Sequence, residues 1–228
     1  MADLEAQKQR AALRAAAEVA DGMLLGLGTG STATYAIREI ARRMREEGLR
    51  LTAIATSSAT GALAVSLGIP LRSMGEIDQL DLVIDGADEI DPALRAIKGG
   101  GGALFREKIA AAAAVRMIVI GDSSKPVETL GRFKLPVEVH PFALRSVQHQ
   151  LEALGAPIAL RSRADGAPFA TDQQANIFDV AFDRIDDAGA LARMLEAMPG
   201  VLAHGLFIDL VDTAIIGTED GVSITNRH

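Results

Sequence analysis

Asp85-Gly86-Ala87-Asp88-Glu89-Ile90-Asp91 is followed along the chain by Lys98-Gly99-Gly100-Gly101-Gly102 and then by Glu107-Lys108. An apolar run at 80–84 precedes this stretch and is long enough for a buried strand. The alanine-rich segment 103–115 after it has the composition of a helix. The four glycines therefore lead into a helix N-terminus, where free N–H groups and the helix dipole favour anions. The stretch places carboxylates, a lysine and a pliant loop at one strand-to-helix crossing.

Two interpretations of this stretch have to be weighed. Asp and Gly are common turn formers, and Glu107 and Lys108 are compatible with an ordinary solvated helix surface. Four consecutive glycines, however, carry a large conformational entropy cost on folding. Their position beside a helix start favours the second interpretation, in which a ligand approaches the backbone there.

Length, composition and net charge limit the kinds of protein and ligand that fit this sequence. The chain has 228 residues, 49% of them hydrophobic, so it has enough apolar material for a sizeable core. The net charge of −7 argues against a nucleic-acid partner, although a few local donors can still hold a small phosphorylated ligand. The sequence has no cysteine, and its four histidines show no metal-binding spacing, so we expect no disulfide and no metal site.

The chain carries no sign of export or membrane insertion. Its first residues, Met1 to Arg14, are polar and charged, and no apolar run reaches membrane-spanning length. We therefore expect no membrane partner and a cytoplasmic location.

A second glycine-rich loop lies earlier in the chain. A strand predicted at 23–27 is followed by Gly28-Thr29-Gly30-Ser31-Thr32-Ala33, and a helix is predicted at 35–47. Strand, glycine–hydroxyl loop and helix form a typical phosphate cradle, because glycines admit the ligand and N–H and hydroxyl groups bind it. The alternative is an N-capped turn, since Ser and Thr are also preferred helix caps. We favour ligand binding.

The same loop matches the Gly-x-Gly-x-x-Ala fingerprint of dinucleotide-binding proteins. That fingerprint requires an acidic residue after the next strand, which is predicted at 51–55. The strand is instead followed by Thr56-Ser57-Ser58. No Walker lysine follows the glycines either, which argues against a nucleoside triphosphate. With a dinucleotide and a nucleoside triphosphate both disfavoured, the loop is expected to bind a smaller phosphorylated ligand.

Strands and helices alternate through the first part of the chain. Helices are predicted at 4–19, 35–47, 58–67 and 103–115, and strands at 23–27, 51–55, 80–84 and 117–120. This alternation predicts an α/β fold with a doubly wound, mostly parallel, Rossmann-like sheet. Ligands bind such sheets at the carboxyl ends of the strands, which is where the polar positions Thr29 to Thr32, Thr56 to Ser58, Asp85, Asp88 and Lys125 fall.

The pattern changes after Pro126. Strands predicted at 135–139, 158–160 and 177–182, with helices at 142–154 and 188–197, indicate a smaller split α/β, ferredoxin-like domain. Segments 201–210 and 213–217 are predicted as closing strands. We therefore predict a catalytic domain at 1–128, completed by 202–228, and a small domain at 129–201 that serves as an oligomer contact.

The ordered set of motifs resembles ribose-5-phosphate isomerase of the A type. The matching segments are Gly26 to Thr32, Asp85 to Glu89, Lys98 to Gly101, Arg106 to Lys108, Leu135 to Val139 and Gly205 to Phe207. Together they span nearly the whole chain. Two departures are small: Gly102 stands where many members have alanine, and Thr56 to Ser58 varies within the family.

The resemblance implies an aldose–ketose isomerase that interconverts ribose 5-phosphate and ribulose 5-phosphate, in the pentose phosphate pathway, without metal or organic cofactor. It implies Glu107 as the base, with Asp85, Asp88 and Lys98 around the sugar's C1–C3 oxygens. It implies phosphate binding by Thr29, Gly30, Ser31 and Thr32 with Lys8 and Lys125. The remaining implied substrate-binding positions are Gly86, Ala87, Gly99, Gly100 and Gly101. A homodimer, or else a tetramer, is the implied assembly.

Two other functions stay open from the residues alone. A sugar-phosphate sensor keeps the phosphate cradle but does not need Glu107 with Lys98, and such regulators usually carry a DNA-reading domain. A coenzyme A transferase needs a carboxylate nucleophile, and Glu107 can in principle supply one. Thioester exchange distinguishes the transferase from the isomerase.

Overall fold

The computed structural model describes residues 3–227 of the chain. In chain order its helices and strands are α1 (Leu4–Ala16), β1 (Leu24–Leu27), α2 (Ser31–Glu47), β2 (Thr52–Ala55), α3 (Ser58–Ser66), β3 (Leu82–Gly86), β4 (Glu89–Ile90), β5 (Ala96–Ile97), α4 (Leu104–Ala112), β6 (Met117–Asp122), β7 (Leu135–Val139), α5 (Leu144–Glu152), β8 (Ile158–Leu160), β9 (Asn176–Val180), α6 (Ala188–Glu196), β10 (Val201–His204), β11 (Leu206–Phe207), β12 (Thr213–Gly217) and β13 (Val222–Asn226).

Six strands form one sheet in the order β13-β12-β6-β3-β1-β2. All neighbours in it are parallel except β13, which runs antiparallel to β12. This confirms the predicted mostly parallel α/β sheet. The edge strand β13 was not predicted, because all five of its residues are exposed and it has no buried apolar run.

The core of this sheet combines the alanines of α1 with larger aliphatic side chains from α2 and from the strands. Four alanines of α1, Ala11, Ala12, Ala15 and Ala16, are fully buried and belong to the same cluster as Ile40 of α2. Alanine lets two helices approach closely, which explains why the N-terminal helix is so rich in it. The predicted start of α2 at Tyr35 is wrong: the helix begins at Ser31, directly after Gly30.

The chain divides into two units, one of residues 1–87, 106–126 and 209–228 and the other of residues 88–105 and 127–208. The six-stranded sheet belongs to the first unit. The division into domains at 1–128 with 202–228, and 129–201, remains a proposal. Its residues 1, 2 and 228 lie outside the described residues.

The second unit contains an antiparallel four-stranded sheet in the order β10-β7-β9-β8, with α5 and α6 between its strands along the chain. The β-α-β-β-α-β succession and this order are those of a split α/β, ferredoxin-like fold, which confirms that prediction. A second sheet, β11-β5-β4, has three strands.

The single strand predicted at 201–210 is wrong, because β10 and β11 belong to different sheets. The chain changes sheets at Gly205, where a Cβ atom would lie 2.4 Å from the carbonyl oxygen of Lys98. Only glycine fits this close backbone approach.

Among residues 3–227, none of the helices has the length and apolar character to span a membrane.

Candidate active site

The site residues predicted from the sequence are distributed over both units. The first unit contains Lys8, Thr29, Gly30, Ser31, Thr32, Asp85, Gly86, Ala87, Glu107 and Lys125. The second contains Asp88, Lys98, Gly99, Gly100 and Gly101. The chain passes from the first unit to the second after Ala87 and returns after Phe105.

Asp85 is fully buried near the end of β3 and is held by backbone donors. Its Oδ1 accepts hydrogen bonds from the N–H of Thr29 at 3.0 Å and from that of Gly86 at 2.7 Å. A Cβ atom at Gly28 would lie 2.1 Å from the same oxygen. Gly28 is therefore glycine because the aspartate occupies the space of its side chain. The structure thus joins the predicted Gly-Thr-Gly loop to the predicted catalytic aspartate.

A cluster of hydroxyl groups lies at the carboxyl ends of β1 and β2. The Oγ1 of Thr29 lies 2.9 Å from Thr56 Oγ1, 2.8 Å from Ser57 Oγ and 3.2 Å from Thr60 Oγ1. Thr60 also donates to the carbonyl oxygen of Gly28 at 2.9 Å. Thr60 was not among the residues predicted from the sequence. The available signal was its spacing from Ser57, the N-cap residue of α3, whose Oγ accepts from the N–H of Thr60.

The loop ends at the first turn of α2. Gly30 has φ +113°, a conformation that favours glycine, and its carbonyl oxygen accepts from the N–H of Thr34 at 3.0 Å. Ser31 is exposed and Thr32 is buried. The predicted phosphate loop therefore presents the N-terminus of a 17-residue helix, where backbone N–H groups favour an anion.

Lys8 belongs to a polar triplet that the sequence did not reveal. Its Nζ lies 2.6 Å from Glu5 Oε1, and the hydroxyl of Tyr35 donates to Glu5 Oε2 at 3.0 Å. The hydrogen bond to Glu5 raises the pKa of Lys8, and the same bond lowers the pKa of Glu5. The ammonium group thus stays charged at neutral pH.

Lys125 follows β6 in a turn, and its aliphatic stem lies against Gly121. A Cβ atom at Gly121 would lie 2.8 Å from Lys125 Cγ. The backbone N–H of Lys125 donates to the carbonyl oxygen of Asp122 at 3.1 Å. Gly121 therefore leaves the space that the stem of Lys125 occupies.

Glu107 lies in the first turn of α4 and is only 4% exposed. It follows the glycine run by a few residues, as the sequence predicted. A buried carboxylate at a helix N-terminus is held by a rigid element and favoured by the helix dipole.

In the second unit, Asp88 and the glycine run are joined by a hydrogen bond. Asp88 Oδ2 accepts from the N–H of Gly100 at 2.8 Å, and a Cβ atom at Gly100 would lie 2.8 Å from Asp88 Oδ1. Gly99 has φ +103°, and a Cβ there would lie 2.9 Å from Leu104 Cβ. At least these two glycines of the run are required by their surroundings.

Lys98 is buried, with an exposed fraction of 2%. Its N–H donates to the carbonyl oxygen of Gly205 at 2.9 Å, and its Nζ lies 5.4 Å from the centre of the Phe207 ring. A cation over an aromatic face is attracted by the ring quadrupole. The ring of Phe207 is thus one partner of the ammonium group. Within residues 3–227, His, Asp and Glu side chains form no group of three that fits a metal ion.

The chain is similar to known proteins along almost its whole length. The family model of ribose 5-phosphate isomerase A (phosphoriboisomerase A) matches residues 52–221. The ribose-5-phosphate isomerase A of Sphingopyxis alaskensis is 52% identical over 227 residues, covering 100% of this chain and 99% of the relative.

Two solved structures are similar in fold as well. Ribose 5-phosphate isomerase A of Methanocaldococcus jannaschii has a TM-score of 0.92 and 40% identity, covering 96% of this chain and 97% of that one. A D-ribose-5-phosphate isomerase in complex with phospho-erythronic acid has a TM-score of 0.96 and 36% identity, covering 99% of this chain and 100% of that one.

Proposed function

This chain belongs to the ribose 5-phosphate isomerase A family, and we propose that it interconverts D-ribose 5-phosphate and D-ribulose 5-phosphate through an ene-diolate, with Glu107 as the general base. It is an isomerase, as its relatives are. The observation that carries the mechanism is the buried carboxylate of Glu107, held in the first turn of α4 directly after the glycine run.

The reaction moves one proton between neighbouring carbons. Glu107 removes the proton from C2 of the open-chain aldose and returns it to C1 of the ene-diolate, while the hydroxyl proton passes from O2 to O1, so that one base serves both carbons. General base catalysis of this kind contributes a factor of about 10²–10⁴ in rate. The reverse reaction begins with removal of a proton from C1 of the ketose.

Negative charge develops on the sugar oxygens as the proton leaves. Lys98 supplies a positive charge for it, and its ammonium group lies over the ring of Phe207. Backbone N–H groups of the glycine run are further donors, each contributing a factor on the order of 10²–10³ when well placed. No metal or organic cofactor is required for this chemistry.

The other predicted residues bind the substrate in this proposal. Asp85 and Asp88 accept protons from sugar hydroxyls and assist opening of the furanose ring. Lys8, Lys125 and the loop Thr29 to Thr32 hold the phosphate group. The backbone at the remaining positions lies along the sugar, at Gly86, Ala87, Gly99, Gly100 and Gly101.

The substitution Glu107→Gln tests the role of the base. We expect kcat to fall by a factor of about 10²–10⁴, because only general base catalysis is removed, while KM changes little. Glu128→Gln makes the same chemical change at an exposed glutamate and should leave both constants unchanged. A Glu107→Gln variant with parental kcat would show that another group is the base.

The cellular setting belongs to the same proposal. A ribose 5-phosphate isomerase serves the non-oxidative pentose phosphate pathway, and we propose that this one acts in the cytoplasm as a homodimer or a tetramer. Light scattering of the purified protein measures the assembly, and a monomeric mass with full activity would contradict this part.

A further inference from the structure

Arg161, which the sequence analysis left without a role, reaches the glycine run. It follows β8 in the second unit, and its side chain is 14% exposed. Its Nη1 donates to the carbonyl oxygens of Gly99 at 2.9 Å and Gly100 at 3.2 Å. The small α/β fold therefore contributes a charged group to the loop that begins at Lys98.

Two further contacts fix the guanidinium group in its place. Its Nε and Nη2 donate to the two carboxylate oxygens of Asp179 on β9, at 2.9 Å and 2.5 Å. The ring of Phe169 lies 5.8 Å from Arg161 Cζ. The N–H of Phe169 also donates a hydrogen bond to the carbonyl oxygen of Arg161 at 2.9 Å. A bidentate carboxylate and an aromatic face are the partners that select arginine over lysine.

The direction of these bonds determines where the loop's N–H groups point. In a trans peptide the carbonyl oxygen and the following N–H lie on opposite sides. Arg161 holds the oxygen of the Gly99–Gly100 peptide, and Asp88 Oδ2 accepts from the N–H of the same peptide at 2.8 Å. One peptide plane is therefore held at both ends.

The same geometry applies to the next peptide, between Gly100 and Gly101. Because Arg161 also holds the oxygen of Gly100, the N–H of Gly101 lies on the side of its peptide that faces away from the guanidinium group. Glycine peptides flip easily, since glycine populates φ of either sign. The oxygen of Gly99 also accepts from the N–H of Gly102 at 3.0 Å, whereas the oxygen of Gly100 is held by Arg161, which restricts the flip of the Gly100–Gly101 peptide.

We propose that Arg161 is a positioning residue of the isomerase: by holding the oxygen of Gly100 it turns the N–H of Gly101 away from itself, so that this N–H stabilises the ene-diolate oxygens while the N–H of Gly100 stays bonded to Asp88. This inference rests on the proposed function and assigns a task to the second unit. Asp179 and Phe169 act through Arg161 by holding its guanidinium group.

The test compares Arg161→Met with the parent by two constants. The first is kcat/KM for ribose 5-phosphate. The second is the inhibition constant of phospho-erythronic acid, whose carboxylate resembles the charged ene-diolate. We expect kcat to fall about 100-fold, because a displaced donor costs about this factor, with KM changed less than about threefold. The inhibition constant should rise in parallel with the loss of kcat/KM, as for any mimic of the charged state.

The inhibition constant separates positioning from misfolding. A partly unfolded sample has a lower apparent kcat, but its remaining folded molecules bind the inhibitor normally. Arg163→Met is the matched control, because Arg163 is an exposed arginine two residues further on, with its Nε 3.7 Å from Asp165. It should keep both constants within about twofold of the parent.

Asp179→Asn is a milder second variant that keeps Arg161 and removes only the charge of its partner. We expect a several-fold increase in the inhibition constant, and no additional loss when it is combined with Arg161→Met, because the two residues act as one device. Parental inhibition constants in both variants would overturn the role of Arg161 and leave the isomerase assignment intact. An inactive parent protein would overturn both.

Discussion

Replacing Gly28 with alanine should disrupt the first unit at its most crowded point. The new Cβ would lie 2.1 Å from Asp85 Oδ1, 2.3 Å from Cγ and 2.6 Å from the Cα atom of Asp85. The last of these atoms belongs to the backbone of β3, the parallel neighbour of β1. No rotation of a side chain removes that contact, so either the strands separate or the loop moves.

The magnitude follows from two losses. Overpacking of a filled interior costs about 1–3 kcal/mol. Displacement of Asp85 also removes the charge-assisted hydrogen bond from the N–H of Thr29, at 3.0 Å in the structure, and bonds of this kind contribute about 1.5–3 kcal/mol. We therefore expect the free energy of unfolding to fall by about 3–6 kcal/mol, a large fraction of the total stability of an ordinary domain.

Urea unfolding followed by circular dichroism measures this change, and Gly61→Ala is its control. Gly61 lies inside α3, where a Cβ would meet its nearest atoms at 3.7 Å and 3.9 Å. Alanine there should stabilise by about 0.5–1 kcal/mol, since it has the higher helix propensity. A Gly28→Ala variant within about 1 kcal/mol of the parent would refute the steric argument.

Three further changes test separate parts of the account. Thr60→Val keeps the shape but leaves the buried carbonyl of Gly28 without its hydroxyl donor, so the free energy of unfolding measured in urea should fall by about 1–3 kcal/mol. Lys8 lowers the pKa of Glu5 below its ordinary 4.5, so the stability gained from this ionisation is present above pH 4.5 and is lost as pH falls through the lowered pKa. Glu5→Gln should therefore flatten the dependence of the unfolding midpoint on pH below 4.5, and an unchanged slope would contradict the pairing. Lys125→Met keeps the aliphatic stem and removes the charge, so KM for ribose 5-phosphate should rise about 10- to 100-fold in steady-state kinetics; an unchanged KM would remove this lysine from the phosphate site.

The sequence predicted those parts of the fold that rest on repeated local signals. Buried apolar strands alternating with amphipathic helices identified the parallel sheet, because both faces of such a sheet are covered. The exposed strand β13 has no such signal. The break between β10 and β11 depends on Gly205 meeting the backbone of Lys98, a contact between residues far apart in the chain.

In the site, too, the residues that carry a local sequence signal were predicted, and those that depend on distant contacts were not. Two residues, Gly28 and Asp85, stand out in the sequence because each follows a predicted strand. In the structure the N–H of Thr29, the residue after Gly28, donates a hydrogen bond to Asp85. Arg161 lies in a polar, turn-rich segment that reads as an ordinary surface. Its role depends on contacts with glycine carbonyls about 60 residues away, and backbone oxygens leave no trace in a sequence.

Proton NMR of ribose 5-phosphate with the purified protein, in heavy water with a metal chelator, tests the central claim most directly. The account predicts that ribulose 5-phosphate forms and that, over many turnovers, deuterium enters C1 of the ketose and C2 of the aldose. Conversion without any label would leave two explanations, a proton shielded from solvent on its way between the carbons or a hydride shift. No conversion at all would contradict the isomerase assignment itself.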